Sequence, residues 1–462
     1  FAYAPAQVTA ARARGVSRPE NRHQLQRSAD FSAALDALTA QAPAVASVAF
    51  VVSWFGDDLR AGQCTIAPRV ETNDKDTIEQ PWSAAGLDRY HARPVSLHEG
   101  KPAYGGTPSD ASVLAAIAEM KARGLSVVFY PFVMMDVATD NALPDPYGGA
   151  RQAAYPWRGR VTCDPAPGRP GSPDATATAA TQVAQFFGAA QPGAGEWSYR
   201  RMVLHYASLC AQAGVDAFLI GSELIGLTRL RSAPGVYPAV AALKQLAQDV
   251  RAILGPSVKI GYSADWTEYG AHVLPNGEVR FPLDPLFSSS SIDFVGVDAY
   301  WPLADWRDGA AHLDAQEARS IYDRAFLSRR LGSGEAYDWF YPDAAARAAQ
   351  SRAAITDGAY NEPWVYRSKD LVGWWSNAHY ERVNGARLAA PTAWAPKSKP
   401  IWLIEIGCPA VDRGANQPNV FPDPKSSESA APVFSRGWRD DLMLIAALEA
   451  IVARFDPASA GF

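Results

Sequence analysis

The chain has 462 residues, of which 48% are hydrophobic and 20% are charged, and its formal net charge is −5. This length fits two or three ordinary domains, or one large α/β barrel with insertions, and the composition predicts a substantial core. The negative charge and the lack of clustered basic residues argue against a nucleic-acid-binding protein. No segment approaches the ~18 consecutive apolar residues of a membrane-spanning helix.

Cysteine usage and the first residues add two further expectations. The four cysteines lie far apart, without metal-ligand spacing and at too low a density for a disulfide framework, so we predict that all are reduced and structural. We predict no metal and no cofactor, because no cluster of His, Asp and Glu has a suitable spacing. Residues 1–20 contain neither a signal-peptide core nor a methionine, and we expect a piece of a longer protein that is made in the cytoplasm. The cysteines are Cys64, Cys163, Cys210 and Cys408.

Helical and extended segments alternate along the chain. The helices are predicted from apolar residues three or four positions apart, with Ser28 and Ser109 as N-caps and Gly255-Pro256 as a stop signal. The strands are predicted from short apolar runs such as VASVAFVVSWF at 45–55. The predicted helices cover about 28–43, 109–124, 198–214, 236–254, 314–331, 343–356 and 434–454, and six strands begin near residues 47, 126, 216, 258, 293 and 401.

Two long excursions interrupt the alternation, at 137–196 and 303–399. The first is rich in Pro, Gly and Ala, which predicts an insertion over the surface. The second contains EPWVYRSKDLVGWWSNAHY at 362–380, where two adjacent tryptophans are predicted to pack in a loop rather than to form a sugar platform. For the domain organisation we predict an N-terminal extension with its helix at 1–44 and one domain at 45–462.

This alternation predicts parallel strands joined by right-handed crossovers, in either a doubly wound sheet or a (β/α)8 barrel. Continuous apolar strands indicate that both faces of the sheet are covered. A barrel needs eight strands. The seventh is expected within 56–108, with RPVSLHE at 93–99 as the best candidate. The eighth would follow the last helix, where the chain stops, so the barrel is expected to be completed beyond this chain or in an unconventional way.

Two predicted strands end in the same pattern, an apolar run followed by a glutamate. They are AFLIGSELIG, which contains Glu223, and IWLIEIGCP, which contains Glu405. In a parallel barrel the carboxyl ends of the strands meet at one rim, where active sites lie. Glycoside hydrolysis needs two carboxyl groups beside the scissile bond, and a separation of roughly 5–5.5 Å means retention of configuration. The alternative to a catalytic role is that each glutamate is the buried ion-pair partner of an arginine.

The ordered segments VVFYPFVMMD, FLIGSELIGL, KIGYSADW, DFVGVDAYWPL and KPIWLIEIGCP carry a resemblance to known proteins. They resemble the superfamily of retaining glycosidases that has its acid/base on strand four and its nucleophile on strand seven. Within it they are similar to the family 113 β-mannanases, and still more to the glycoside-hydrolase TIM-barrel-like domain of gene transfer agents and phage tail baseplate ("megatron") proteins. The resemblance spans about 45–455 and implies a (β/α)8 TIM barrel with long inserted loops.

The resemblance also implies roles for individual residues. Glu223 would be the general acid/base, Glu405 the nucleophile, and Tyr300 the hydrogen-bond donor that tunes Glu405. Many members carry Asn directly before the acid, where it binds the sugar 2-hydroxyl, but Ser222 stands here and has a shorter reach. The remaining expected substrate-binding residues lie at or near strand ends and are Trp54, Asp265, Trp266, Asp298 and Trp301.

The sequence therefore supports three hypotheses. The first is a retaining glycoside hydrolase that cleaves peptidoglycan or a surface polysaccharide from the tail tip of a phage-like particle, with tail proteins as partners; this setting follows from the resemblance alone. The second is a non-catalytic glycan-binding or structural barrel of a tail baseplate, for which the two excursions would serve as docking surfaces. The third is an ordinary secreted β-mannanase-like enzyme, against which the missing signal segment argues.

Overall fold

The computed structural model describes residues 1–13 and 15–459. These residues form two compact units. The first comprises Phe1–Tyr262 and Ser289–Phe294, and the second comprises Ser263–Ser288 and the residues from Val295 onward. The predicted division of the chain at residue 44 stays a prediction.

All six predicted long strands are present, and each begins within a residue or two of its predicted start. They are labelled β1 (Ser47–Gly56), β2 (Ser126–Met135), β3 (Ala217–Ser222), β4 (Lys259–Asp265), β5 (Phe294–Ala299) and β6 (Ile401–Ile406).

In the first unit, β1 and β2 pair in parallel over all ten residues, from Ser47↔Ser126 to Gly56↔Met135. β2 continues in parallel to β3, with Phe129 opposite Phe218. Parallel pairing requires crossover connections, which the helices between these strands provide. The side chains of β3 are all buried, as its uninterrupted apolar run predicted. The carboxyl ends of the three strands therefore lie at one edge of the sheet.

Five long helices belong to the first unit. α2 begins at the predicted cap, where the Ser109 side chain accepts a hydrogen bond from the Ser112 amide. The prediction for α1 was wrong at its start, because Ala29 is the N-cap and the Ser28 hydroxyl donates to the carbonyl of Pro5. The helices are α1 (Asp30–Gln41), α2 (Asp110–Ala122), α3 (Ala177–Phe187), α4 (Tyr199–Ala213) and α5 (Pro238–Leu254).

In the second unit, β5 and β6 run parallel. Helix α6 (Asp441–Phe455) packs on the short helix Arg324–Arg330 and starts later than the predicted 434. The predicted helix at 314–331 is broken into two short helices, which His312 and Asp323 cap separately. The predicted helix at 343–356 begins after its cap Asp343 but ends early, at Ala349. The short helices of the unit are Asp284–Phe287, Leu313–Glu317, Arg324–Arg330, Ala344–Ala349 and Leu371–Ser376, with single 3₁₀ turns at Pro363–Tyr366 and Gly414–Asn416.

The prediction of a barrel strand at 93–99 was wrong. Arg93–Pro94 pairs in parallel with the short strand Arg69–Val70, and Leu97–His98 forms a two-residue hairpin with Lys101–Pro102. Proline at 94 and glycine at 100 prevent one continuous strand. The other short strands are Thr9–Ala13, Val16–Pro19, Ile66–Ala67, Asp76–Thr77, Ser83–Ala84, Leu87–Asp88, His272–Val273, Val279–Arg280, Trp339–Phe340, Ala353–Ala354, Arg382–Val383 and Ala386–Arg387.

The first excursion, 137–196, is not a purely surface insertion as predicted. It contains α3 and the 3₁₀ turn Arg158–Arg160, and it buries Tyr155, Val161 and Cys163. Gly148, Gly168 and Gly171 have positive φ angles in the turns of this segment.

The four cysteines are buried and form no disulfide among the described residues. Burial raises the pKa of the Cys64 and Cys408 thiols to about 12, which keeps them protonated and unreactive. Within residues 1–13 and 15–459, no helix combines the length and the hydropathy needed to span a bilayer.

Candidate functional site

The end of β3 turns sharply to present Glu223. Gly221 has φ +148°, and a Cβ at this position would lie 1.7 Å from the hydroxyl oxygen of Tyr199. That hydroxyl donates to the carbonyl of Ile220 at 2.8 Å, so the tyrosine occupies the space that any side chain at 221 would need. Glu223 itself has φ +51°, a left-handed conformation that is uncommon for a residue other than glycine. The backbone is thus specialised where the carboxylate leaves the strand.

The Glu223 carboxylate is held by two donors from the first excursion. The Trp157 indole N–H donates to Oε2 at 2.7 Å, and Nη2 of Arg158 lies 2.7 Å from the same oxygen. The Arg158 guanidinium also stacks on the ring of Phe132 at 3.7 Å. Glu223 is only 7% exposed, and the ion pair with Arg158 compensates the cost of burying its charge.

Ser222 binds Arg158 through both its hydroxyl oxygen and its carbonyl oxygen. Its Oγ accepts a hydrogen bond from Nη2 of Arg158 at 2.8 Å, and its carbonyl accepts one from Nε at 3.1 Å. Ser222 is also buried. Ser222 therefore fixes Arg158, which in turn holds Glu223, and a role of Ser222 in binding a substrate stays a prediction.

In the second unit, Glu405 lies near the end of β6, opposite Asp298 of β5. The ladder is irregular at this point, because Val297 pairs with Leu403 and the next residue, Asp298, pairs with Glu405. Such bulges redirect side chains and occur often beside active sites. The Tyr300 hydroxyl donates to Oε2 of Glu405 at 2.8 Å, which is the hydrogen bond expected from the resemblance.

Two aspartates expected at the site have clear structural partners within the second unit. Asp298 is completely buried, and its Oδ1 accepts from the Ser263 hydroxyl at 2.6 Å. Asp265 closes a turn, because its Oδ1 accepts from the amide of Thr267 at 2.8 Å and from the hydroxyl of the same residue. Both aspartates lie at strand ends, and their roles in binding a substrate stay predictions.

The tryptophans divide into buried and partly exposed ones. Trp54 is completely buried and donates to the Tyr206 hydroxyl at 2.8 Å, so it has a packing role and offers no face to a sugar. Trp301 is 3% exposed, and its indole N–H finds no acceptor among the described residues. Trp266 is half-buried. Trp374 packs against Trp394 in an aromatic core, as predicted for a packed loop.

Sequence reasoning missed Trp157 and Arg158. They lie in the segment PWRGR inside an excursion that was expected to cover the surface, 65 or more residues before Glu223 in the chain. A Trp-Arg pair in a Pro/Gly-rich loop was the available signal. It does not identify its partner, because only the folded loop brings the pair to the end of β3.

Parallel strands with carboxylates at their carboxyl ends fit an α/β barrel, in which active sites lie at that rim, and they also fit a doubly wound sheet. A comparison with protein families makes this specific. Residues 197–461, more than half of the chain, match the family described as "GTA TIM-barrel-like domain". The chain belongs to this family, and its fold class is that of an α/β barrel.

Solved structures similar to this chain are glycosidases. A GH113 β-1,4-mannanase is 13% identical, with a TM-score of 0.30, over 60% of this chain and 59% of that one. The GH113 β-mannanase from Alicyclobacillus acidocaldarius is 20% identical, with a TM-score of 0.26, over 47% and 52%. The GH53 catalytic domain from Ignisphaera aggregans is 12% identical, with a TM-score of 0.25, over 69% and 57%. The chain thus spans less than two thirds of each of these proteins. Among curated proteins, none matches.

Proposed function

We propose that the chain is a retaining glycoside hydrolase in which Glu223 is the general acid/base and Glu405 the nucleophile. The observation that carries the proposal is the hydrogen bond from Tyr300 to Glu405 beside a strand bulge. A tyrosine hydroxyl on one oxygen orients the carboxylate and leaves the attack to the other oxygen. The family membership supports a barrel, and we propose that eight strands close it and bring both glutamates to one rim.

The proposed reaction has two steps. A Glu405 oxygen forms a bond to the anomeric carbon while the glycosidic C–O bond breaks, and Glu223 gives its proton to the leaving oxygen. In the second step Glu223 takes a proton from water, the water oxygen attacks the anomeric carbon, and Glu405 leaves. The two displacements restore the original configuration, and the mechanism requires the carboxyl groups to lie roughly 5–5.5 Å apart.

We further propose a bacterial cell-envelope glycan, either peptidoglycan or a surface polysaccharide, as the substrate. We read the letters GTA in the family description as gene transfer agent, a phage-like particle, and on this reading we propose a place in the particle tail with tail proteins as partners. A tail component meets the cell envelope first, so cleavage of an envelope glycan there would open a path for the particle.

A specific observation favours a second candidate, a non-catalytic glycan-binding or structural barrel. A general acid must carry a proton before it acts, yet Glu223 is already ion-paired with Arg158 and bonded to Trp157. A carboxylate that is held in this way also fits a purely structural role. In this candidate the barrel binds an envelope glycan or a neighbouring tail protein without cleaving it.

Hydrolysis of purified peptidoglycan, envelope polysaccharide and β-mannan tests the two candidates. Wild type is expected to release reducing ends from one of these glycans, whereas Glu405→Gln and Glu223→Gln lose the activity. Glu428→Gln, at an exposed position, serves as the control. The first product seen by NMR should have the configuration of the substrate. Equal activity of Glu405→Gln would remove this residue from the mechanism, and binding without cleavage by wild type would establish the second candidate.

A further inference from the structure

A shallow groove of about 430 Å³ opens in the first unit. Two of its lining residues, Thr139 and Asp140, follow the last residue of β2 within a few positions. Since β2 pairs in parallel with β3, the strand end that leads to the groove lies at the same edge of the sheet as the strand end that leads to Glu223. Its lining consists of Leu97, His98, Glu99, Thr139, Asp140 and Arg151.

Hydrogen bonds and an ion pair hold the walls of the groove in place. Asp136, directly after β2, accepts hydrogen bonds from the Ser96 amide at 3.0 Å and from the Ser96 hydroxyl at 2.5 Å. Its carboxylate is also ion-paired with buried Arg69. The Tyr155 hydroxyl bonds to the carbonyl of Leu97 at 3.3 Å. These bonds fasten the hairpin at 97–102 to the end of β2, so the groove is part of the folded unit.

The charges in the groove are not matched to one another. Arg151, Glu99 and Asp140 are exposed, and in the part of the chain that the structure describes none of them forms an ion pair or a side-chain hydrogen bond. Elsewhere at the same edge, carboxylates are paired, as Asp58 with Arg60 and Asp136 with Arg69. The groove therefore offers one cation and two carboxylates to a ligand.

The arrangement of charges in the groove favours some classes of glycan over others. A neutral glycan would form hydrogen bonds with these side chains through its hydroxyl groups but would leave their charges uncompensated. A polyanionic glycan would be attracted by Arg151 but repelled by Glu99 and Asp140, since like charges brought together oppose binding. A ligand that carries both a carboxylate and an ammonium group satisfies both signs. A sugar with an amino-acid or peptide substituent has this chemistry, and a volume near 430 Å³ is within the range of small-ligand sites.

We propose that this groove is a subsite for the peptide substituent of a peptide-bearing glycan. Arg151 binds the carboxylate of the substituent in a bidentate manner, and Glu99 and Asp140 bind its ammonium group. The inference rests on the proposed function and deepens it, because it names peptidoglycan rather than a neutral polysaccharide as the substrate. The sugar chain would lie toward Glu223 and the peptide toward the hairpin at 97–102.

Binding to the inactive full chain Glu405→Gln tests the proposal without relying on cleavage. The probes are a soluble disaccharide-peptide fragment of peptidoglycan and the same disaccharide without peptide, measured by calorimetry at low ionic strength. We expect the peptide-bearing probe to bind about tenfold more tightly, with a preference that weakens as salt is added. Arg151→Ala, and separately Glu99→Gln combined with Asp140→Asn, should each reduce this preference to about twofold or less.

The control is Arg319→Ala, which removes an exposed arginine of the second unit and should leave the preference unchanged. Equal affinity for both probes, a preference that survives both groove variants, or no measurable binding of either probe would overturn the proposal. The two proposals fail separately. Groove-dependent binding with no cleavage by wild type would reject the hydrolase only, and cleavage of peptidoglycan unaffected by the groove variants would reject the subsite only.

Discussion

The orientation and the charge of Glu223 depend on the residues around it. The apolar run before it was enough to single it out in the sequence, because a carboxylate in such surroundings needs a partner or a role. Its orientation depends on Gly221, whose missing side chain makes room for the Tyr199 hydroxyl. Its charge depends on Arg158, which stands in a distant loop. The residue was predictable from local sequence, and its partners were not.

The ion pair between Arg158 and Glu223 should be strongly coupled. Removing one partner of a buried pair leaves an uncompensated charge, so Arg158→Met should lower the free energy of unfolding by about 3–5 kcal/mol. Glu223→Gln added to Arg158→Met should restore part of this loss, because the buried charge is then gone. Urea denaturation of both single variants and the double variant measures the coupling.

Arg439→Met provides the comparison for that cycle. Arg439 pairs with Asp441 at the surface, where both side chains are largely exposed, so its loss should lower the free energy of unfolding far less than the loss of Arg158. Additive effects of the two substitutions at 158 and 223 would show that the pair is not a coupled buried unit.

Tyr300→Phe tests the donor on the proposed nucleophile. It removes one hydroxyl that bonds to Glu405 and leaves the ring. If this donor stabilises charge during the reaction, kcat should fall about 10²-fold with little change in KM, since preorganised donors act mainly on the transition state. Kinetics on the glycan that wild type cleaves, with both parameters determined, measure the effect.

Tyr322→Phe is the matched control. Its hydroxyl donates to the Asp440 carboxylate at 2.6 Å in the same unit, and that bond raises the pKa of the phenol to about 12. Loss of this bond should leave kcat unchanged. A Tyr300→Phe enzyme as active as Tyr322→Phe would make the hydrogen bond to Glu405 irrelevant to catalysis.

At the scale of elements, the long strands were predictable and the short ones were not. A buried parallel strand needs a continuous apolar run, and such runs are distinctive in this sequence. Two-residue strands such as Leu97–His98 carry no period, and they form because a turn and a partner hold them. The bulge beside Glu405 is also invisible in the sequence, because it is a property of how β5 and β6 pair.

Helix starts give a direct test of local sequence signals. Ser109 caps α2, whereas Ser28, predicted from a similar pattern, does not cap α1. Ser109→Ala should lower the free energy of unfolding by about 1 kcal/mol, because the Ser112 amide loses its acceptor. Ser28→Ala should change it by less than about 0.5 kcal/mol. Urea denaturation distinguishes the two, and equal losses would show that hydroxyl capping does not explain the difference.

At the scale of the whole molecule, the second excursion contains long-range contacts that amino-acid composition does not predict. The sequence predicted two helical stretches joined by loops there, and in the structure a buried lysine fastens segments of this excursion to one another. Lys369 donates to the carbonyls of Ser333 at 2.9 Å and Glu335 at 3.2 Å, and also to that of Pro302, two residues after Tyr300. Such a contact joins segments far apart in the sequence, so no local sequence pattern predicts it.

Lys369 should make the stability of the molecule depend on pH. Burial, followed by the charge of Arg330, lowers the pKa of Lys369 from 10.5 to about 7. Between these values the unfolded chain holds a proton that the folded chain does not, so the free energy of unfolding rises with pH in this window. The advantage of wild type over Lys369→Met should therefore grow by about 2 kcal/mol from pH 7 to pH 9. Lys244→Met, at an exposed position of α5, controls for the general effect of replacing a lysine by methionine. If the difference between wild type and Lys369→Met stays constant with pH, the ammonium keeps its proton in the folded state, and its three carbonyl partners outweigh the cost of burial.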